Sequence, residues 1–174
     1  MSLSQDPGAQ RVREYLNEAR EAVLWKCADL SEAHARQEMT ATGSSIIGIV
    51  HHLTATEYAY FGECLGRTPQ DEHMRQVLAS DDPQAEFTVP KELTLREVCE
   101  SYRRAIAFAE AACDELEPTT AAEVTWWVTH RHTNLARLVT HMFGETARHA
   151  GHIDILREQL DGFAGLYAHA PNLP

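Results

Sequence analysis

The amino-acid sequence predicts an all-α protein: an antiparallel four-helix bundle with a long connection between its second and third helices. Over four long segments, apolar residues recur at three- and four-residue steps, which is the spacing of one face of an α-helix. Polar stretches that contain Pro and Gly separate these segments, as is typical of connections between packed helices. With 174 residues the chain is long enough for one hydrophobic core, so we predict a single domain over residues 1–174.

The first helix is predicted from Ala9 to about Leu30, just after Pro7 and Gly8. The following segment, Ser31–Gly43, is polar and is predicted to be a connection. The apolar face of the helix has helical spacing and consists of Val12, Leu16, Ala19, Val23 and Cys27.

The second helix is predicted to begin after Ser44 or Ser45 as N-cap and to run to about Leu65. His51 and His52 flank its apolar face on opposite sides, so periodicity does not decide which one points inward. Small residues, which let a partner helix come close, lie on the His52 side and favour His52. These are Ser45, Gly48, Thr56 and Ala59.

The connection Arg67–Leu93 is irregular and contains several prolines, with a short helix predicted at Glu72–Leu78. It is long for a compact domain, and long connections are usually functional or mobile. We therefore expect it to form one wall of a pocket.

The third helix is predicted to begin at Thr94, because Thr94-Leu95-Arg96-Glu97 matches a capping box, and to end near Leu116 before Pro118. The apolar piece Glu123–Thr129 follows. Its two tryptophans are expected to pack in the core, with the wall of a pocket as the alternative. The fourth helix is predicted from Thr133 to Gly162, and the tail beyond it holds His169, for which we expect no ligand role.

The fourth helix carries a stripe of titratable residues beside its apolar face. Glu145 and His149 are four residues apart, His152 follows His149 by three, and His141 lies one turn before Glu145. Such groups are costly near an inward face unless something satisfies them, and a metal ion is the obvious candidate. With His52 from the second helix, Glu145 and His149 would form the two-His, one-carboxylate set of catalytic metal sites.

Taken alone, the Glu145–His149 spacing is a weak signal, and a solvated polar face or a hydrogen-bonded core histidine are the alternatives. The nitrogen and oxygen donors suit zinc, nickel, iron or manganese. Gly144 and Gly151 lie seven residues apart on one side of this helix, where we expect them to permit close helix contact.

Composition excludes several function classes. The net charge of −11 argues against a nucleic-acid-binding protein, which would need clustered Lys and Arg. No apolar run is long enough to span a membrane, and the first residues lack an apolar signal segment, so we expect the cytoplasm. The four cysteines form no CxxC pair and are expected to be buried, reduced thiols.

Two phrases, IVHHLTATEYAYFG and ETARHAGHIDILREQLDG, resemble the DinB/YfiT-like superfamily of four-helix metalloproteins. Within it they are similar to the branch of the mycothiol-dependent maleylpyruvate isomerase and the mycothiol S-transferases. The resemblance implies that His52, Glu145 and His149 hold a divalent metal, with zinc as the first choice. It also implies mycothiol, or a similar small thiol, as cosubstrate.

The implied activity is that of a metal-dependent thiol S-transferase for detoxification or secondary metabolism. A thiol coordinated to the metal loses its proton, and the thiolate attacks an electrophilic substrate. His152 is the candidate catalytic residue, as a support for the ligand His149, a substrate contact or a proton relay. His141 is a second candidate for the proton relay. A structural role is the alternative for each. Arg148 is the candidate for binding an anionic group of the thiol or the substrate, with a surface salt bridge as its alternative.

Two other functions fit the same residues. A metal-dependent hydrolase would use a water of lowered pKa in the open position. A metal-binding, stress-induced bundle without catalysis would act through a partner. Exposed apolar positions on the first helix favour a homodimer.

Overall fold

A computed structural model describes Leu3 and residues 6–165, and in this part of the chain the predicted all-α class is confirmed. The described residues contain long and short helices and two strands of three residues each. The tail with His169 lies outside the described residues. The helices are α1 (Pro7–Cys27), α2 (Glu32–Arg36), α3 (Ile46–Phe61), α4 (Glu72–Leu78), α5 (Leu95–Glu115) and α6 (Leu135–Asp161).

Helix α1 begins two residues earlier than predicted because Asp6 caps it. The Asp6 carboxylate accepts hydrogen bonds from the backbone N–H groups of Gly8 and Ala9, at 2.9 and 3.2 Å. The helix ends at Cys27, before the predicted Leu30, because Ala28 is extended and Asp29 adopts a left-handed conformation with φ 56°.

Of the two candidate caps of α3, Ser45 is the one used: its hydroxyl accepts from the N–H of Gly48 at 3.2 Å. The helix ends at Phe61, with Gly62 as its C-cap, rather than near the predicted Leu65. A Cβ at Gly62 would lie 2.2 Å from the carbonyl oxygen of Tyr58, so only glycine fits there. A one-turn 3₁₀ helix, Glu63–Leu65, follows.

Helices α4 and α5 begin where the sequence predicted. Helix α4 has the predicted bounds. The capping box of α5 is confirmed, because Thr94 accepts from the N–H of Glu97 while the Glu97 carboxylate accepts from the N–H of Thr94. Helix α6 is capped by Asn134 and ends at Gly162, whose φ is 74°.

A short helix and a two-stranded hairpin were missing from the sequence prediction. The short helix α2 lies inside the segment that was predicted to be a connection. The strands β1 (Ala121–Glu123) and β2 (His132–Asn134) pair antiparallel, with Ala122 opposite Thr133. The loop between them carries both Trp126 and Trp127, so the predicted apolar piece is part of a hairpin.

Helix α3 is the most buried element, since every one of its residues is buried. Most of its residues are apolar, as is typical of a buried helix, and its buried Glu57 has a partner inside the protein. It packs against α5 and α6, and α1 packs along α6. The antiparallel four-helix arrangement itself, and the single domain, stay predictions.

A buried ion pair ties α1 to α3. The Arg20 guanidinium donates to both carboxylate oxygens of Glu57, at 2.8 and 2.6 Å, and also to Glu110 of α5 at 2.7 Å. Because a buried charge is costly without partners, these contacts fix the rotation of α3 and with it the directions of its histidines.

The expectation for Gly144 and Gly151 is wrong. Both are exposed, and a Cβ added at either position would meet no atom within 4 Å. They face away from the helix contacts that they were expected to permit. Among the described residues, no helix is both long and apolar enough to cross a membrane.

Candidate metal centre

The side chains of His52, Glu145 and His149 converge where α3 passes α6. One potential ligand atom from each of the three lies within 4.8 Å of the other two. His52 Nε2 is 3.5 Å from Glu145 Oε1, and His149 Nε2 is 3.1 Å from the same oxygen. The structure thus brings His52 to a pair of residues that is 93 positions away in sequence, and the role of all three as ligands stays a prediction.

Glu86 and Phe87 hold the His52 ring in place. The His52 Nδ1 lies 2.7 Å from Glu86 Oε2, and the ring stacks on Phe87 with a centroid distance of 4.3 Å and an interplanar angle of 13°. Both residues belong to a one-turn 3₁₀ helix, Ala85–Phe87, in the long connection. A carboxylate on the far nitrogen is the usual support of a metal-ligating histidine, because it fixes the tautomer and directs Nε2 to the metal.

His149 is directed by a second imidazole. Its Nδ1 lies 3.4 Å from the Nδ1 of His152, so the opposite nitrogen, Nε2, faces Glu145. Burial, together with the nearby His52, lowers the pKa of His149 to about 4. Burial raises the pKa of Glu145, but His149 and Arg148 outweigh it and hold that pKa below its usual value. At neutral pH, Glu145 is therefore ionised and His149 is neutral, as metal ligands must be.

These three residues fit a divalent cation. Two imidazole nitrogens and one carboxylate oxygen form a common donor set of catalytic zinc, in which a further position is left for water or substrate. In both histidines Nδ1 has a partner within the protein, so Nε2 is the donor that each would offer. His52 Nε2, His149 Nε2 and the Glu145 carboxylate would hold the ion.

His51 is turned to the other side of α3. Its Nδ1 lies 2.6 Å from the backbone oxygen of Glu86, and its Nε2 lies 2.8 Å from the Nε2 of His73 in α4. Burial lowers the pKa of His51. Of the two adjacent histidines, His52 is thus the one that faces α6.

A comparison of the sequence with protein families adds to this geometry. The model of the mycothiol-S-transferase family matches residues 11–162, a range that includes all three converging residues. The chain belongs to the mycothiol-S-transferase family. No curated protein and no solved structure matched the sequence.

In this member of the mycothiol-S-transferase family, the other predicted site residues lie around the three. His152 is exposed, beside His149. The Arg148 guanidinium is 3.1 Å from Glu145 Oε2, and its side chain is 61% exposed, so the salt-bridge alternative describes its contact. His141 packs instead against the rings of Tyr60 and Trp127, with centroid distances of 4.7 and 4.9 Å. Catalytic or binding roles for these residues stay predictions.

The long connection forms one wall of a polar cavity of about 610 Å³, as the sequence predicted. Phe87 borders both this cavity and His52, so the cavity adjoins the candidate metal centre. Hydroxyl, amide and charged groups dominate its lining, which includes Arg36, Glu38, Thr42, Ser44, Ser45, Gln84 and Thr88.

Core packing is the wrong reading for Trp126, which is 47% exposed. Trp126 and Trp127 line a second cavity, of about 380 Å³, together with His141. For Trp126 the structure supports the alternative interpretation, the wall of a pocket, whereas Trp127 lines this cavity and also packs against the hydrophobic core, as expected.

Sequence reasoning missed Glu86, the carboxylate on His52. The only signal for it was general, because long connections often carry function. No periodicity connects it with a histidine 34 residues away.

Proposed function

We propose that the protein is a divalent-metal-dependent thiol S-transferase, which joins mycothiol or a similar small thiol to an electrophilic substrate. The observation that carries the proposal is the convergence of His52, Glu145 and His149 in a chain of the mycothiol-S-transferase family. Zinc is the first choice of metal because the donor set matches catalytic zinc sites, while nickel, iron and manganese accept the same donors.

His52, Glu145 and His149 would hold a divalent cation, whose chemistry would be to lower the pKa of a thiol bound at the same site and so favour the thiolate. Glu86 and His152 keep the two ligating imidazoles in their orientations. A bond forms between sulfur and an electrophilic carbon, while the leaving group departs with the electron pair of the bond that breaks. His152 is exposed and is our candidate for passing the proton of the thiol to solvent.

Cys64 and Cys113 are poorly suited to be the nucleophile, which supports an external thiol. All four are free and buried. Burial raises the pKa of both Cys64 and Cys113 to about 12, so these thiols stay protonated at neutral pH. Free thiols also fit the reducing cytoplasm, where we propose that the protein acts.

The polar cavity beside Phe87 supports mycothiol as the thiol. Mycothiol is a cysteine derivative of an amino sugar and inositol, so most of its surface is made of hydroxyl groups. A cavity of about 610 Å³ lined by Ser, Thr and Gln side chains matches that chemistry and lies in the usual range for ligand pockets. Arg148 remains our candidate for an anionic group of the thiol or the substrate.

A purified-protein assay tests the proposal. Metal content is measured first, and conjugation of chlorodinitrobenzene is then followed with mycothiol, bacillithiol and glutathione in parallel. We expect one thiol, mycothiol first, to give metal-dependent conjugation that removal of the metal abolishes. Ester hydrolysis without thiol would instead favour a hydrolase, and bound metal without either activity would favour a non-catalytic role.

The homodimer is a separate proposal. Tyr15 on α1 is 51% exposed and supplies apolar surface for it. Light scattering tests it, and a monomer at assay concentration would remove it.

A further inference from the structure

The hairpin loop between β1 and β2 presents aromatic surface to solvent at a fixed position. Trp126 is 47% exposed and Val128 fully exposed. Large apolar groups held in water on a loop commonly mark a binding site. The loop and one turn of α6 border an open cleft of about 380 Å³, which we call the aromatic cleft and which is lined by Trp126, Trp127, Val128, Thr129, Arg137 and His141.

Tyr60 of α3 holds both indoles in place. Trp126 Nε1 and Trp127 Nε1 each donate a hydrogen bond to the Tyr60 hydroxyl oxygen, at 3.2 Å. The loop backbone is fixed as well, because the N–H of Val124 donates to the oxygen of Arg131 at 2.8 Å. Indoles positioned in this way lose little conformational entropy when an aromatic ligand packs on them.

The cleft also contains a positively charged side chain, Arg137, that is not paired with a carboxylate of the described residues. The Arg137 guanidinium lies 5.6 Å from the centre of the Trp127 ring. Within the described part of the chain Arg137 forms no ion pair, whereas Arg131 of the same hairpin is paired with Glu123 at 2.9 Å. In a protein of net charge −11, an unpaired arginine beside aromatic surface is suited to an anionic group.

The cleft lies next to the candidate metal centre. His141 borders the cleft and precedes the ligand candidate Glu145 by one turn of α6, which is about 6 Å along the helix axis. The polar cavity beside Phe87 lies elsewhere, where the N-terminus of α3 meets the long connection. The two cavities therefore share no lining residue.

We propose that the aromatic cleft binds the electrophilic substrate through a planar aromatic group that carries an anionic substituent. The ring packs on the two indoles, and the anion pairs with Arg137. The identity of this ligand as the electrophile rests on the proposed function, while the binding itself needs neither metal nor thiol. The volume of the cleft fits a small molecule and is too small for the surface that a stable protein partner buries.

Tryptophan fluorescence in metal-free protein tests the proposal. The protein has three tryptophans, and Trp25 lies on α1 against Phe163, so a Trp25→Phe background leaves only the two cleft indoles. Para-nitrobenzoate, an aromatic anion that quenches indole fluorescence, is compared with the neutral para-nitrobenzamide. We expect saturable quenching by both probes, with the anion binding about fivefold to tenfold more tightly.

Matched variants locate the binding. Arg137→Gln should bring the affinity for nitrobenzoate down to that for nitrobenzamide, while the control Arg131→Gln leaves it unchanged. Trp126→Ala should weaken the binding of both probes about tenfold. Circular dichroism of each variant checks the fold.

The proposal is overturned if nitrobenzoate binds no better than nitrobenzamide, or if the two arginine variants lose equal affinity. Its failure is distinct from that of the transferase function, because the titration contains neither metal nor thiol. A protein that binds nitrobenzoate through Arg137 but conjugates nothing would contradict the proposed function and leave the cleft assignment standing. In an active protein, Arg137→Gln should raise KM for chlorodinitrobenzoate more than it raises KM for chlorodinitrobenzene.

Discussion

The adjacent histidines of α3 have different surroundings, although both are buried and both contact Glu86. His51 uses its two ring nitrogens within the protein, one against the backbone oxygen of Glu86 and the other against His73. His52 uses Nδ1 against the Glu86 carboxylate, while its Nε2 points towards Glu145 and His149.

The difference shows what separates a structural histidine from a candidate ligand. The His51–His73 pair places two nitrogens 2.8 Å apart, close enough to share one proton, and in the described residues no carboxylate is hydrogen-bonded to it. On the His52 side, nitrogen and carboxylate donors converge on one point, and the negative charge of Glu145 suits a cation. The neighbours of each ring, rather than its burial, set its role.

The largest expected effect is the loss of metal from His52→Ala. We expect at least about a hundredfold weaker zinc binding, because losing a ligand should cost more than losing its support, which costs about 10- to 100-fold. Metal analysis after desalting should find His52→Ala and His149→Ala nearly metal-free.

His51→Ala is the matched control for this experiment. It should lose far less metal affinity than the ligand variants, because its ring faces His73 and contacts only the backbone oxygen of Glu86. Full metal occupancy in His52→Ala or His149→Ala would contradict the proposed difference between the two histidines of α3. An equal loss of metal from His51→Ala would contradict it as well.

The second prediction concerns the support of His52. Glu86→Gln should weaken metal binding about 10- to 100-fold, because the amide no longer fixes the imidazole as a carboxylate does. Competition with a chromogenic chelator measures this change. Glu92→Gln, an exposed acid of the same connection, is the control, and equal affinities in the two variants would show that Glu86 does not act through His52.

Much of the fold could be predicted because its signals are local. Apolar spacing and the Thr94–Glu97 box located the helices. The predicted helix ends were less accurate where the three-dimensional structure determines them. Helix α3, for example, ends at its C-cap Gly62 because the carbonyl of Tyr58 leaves no room for a Cβ. The hairpin of β1 and β2 was missed because strands of three residues are too short to show an alternating pattern.

The candidate site was predictable only in part, for the same physical reason. The Glu145–His149 pair follows from helix geometry, whereas the choice of His52 over His51 needed the family resemblance. The role of Glu86 could not be predicted, because an irregular connection has no repeating pattern that indicates where its side chains point. Gly144 was misread, because helical spacing shows which residues share a side but not whether that side faces a neighbour.

A smaller effect, on stability rather than on metal binding, is expected when the hydrogen bond between His51 and His73 is removed. His73→Ala should lower the free energy of unfolding by about 1–2 kcal/mol, because it removes the Nε2 partner of a fully buried imidazole. Metal affinity should not change. Urea unfolding of the metal-free protein measures the first effect, and chelator competition the second. A loss of metal affinity like that of Glu86→Gln would mean that the two histidine sites are coupled through Glu86.

The smallest expected effect concerns two glycines, an exposed one in α6 and a buried one in α3, for which alanine substitution should have different results. Gly144→Ala should raise the free energy of unfolding by about 0.8–1 kcal/mol, because alanine favours the helix and the added Cβ meets no atom within 4 Å. At Gly48, one turn before His52, a Cβ would lie 2.9 Å from the backbone oxygen of Phe87. The Gly48→Ala substitution should therefore push away the 3₁₀ helix that carries Glu86 and weaken metal binding. If Gly144→Ala, which leaves that support untouched, lowered metal affinity as much, the orientation of His52 by Glu86 would not explain the loss at Gly48.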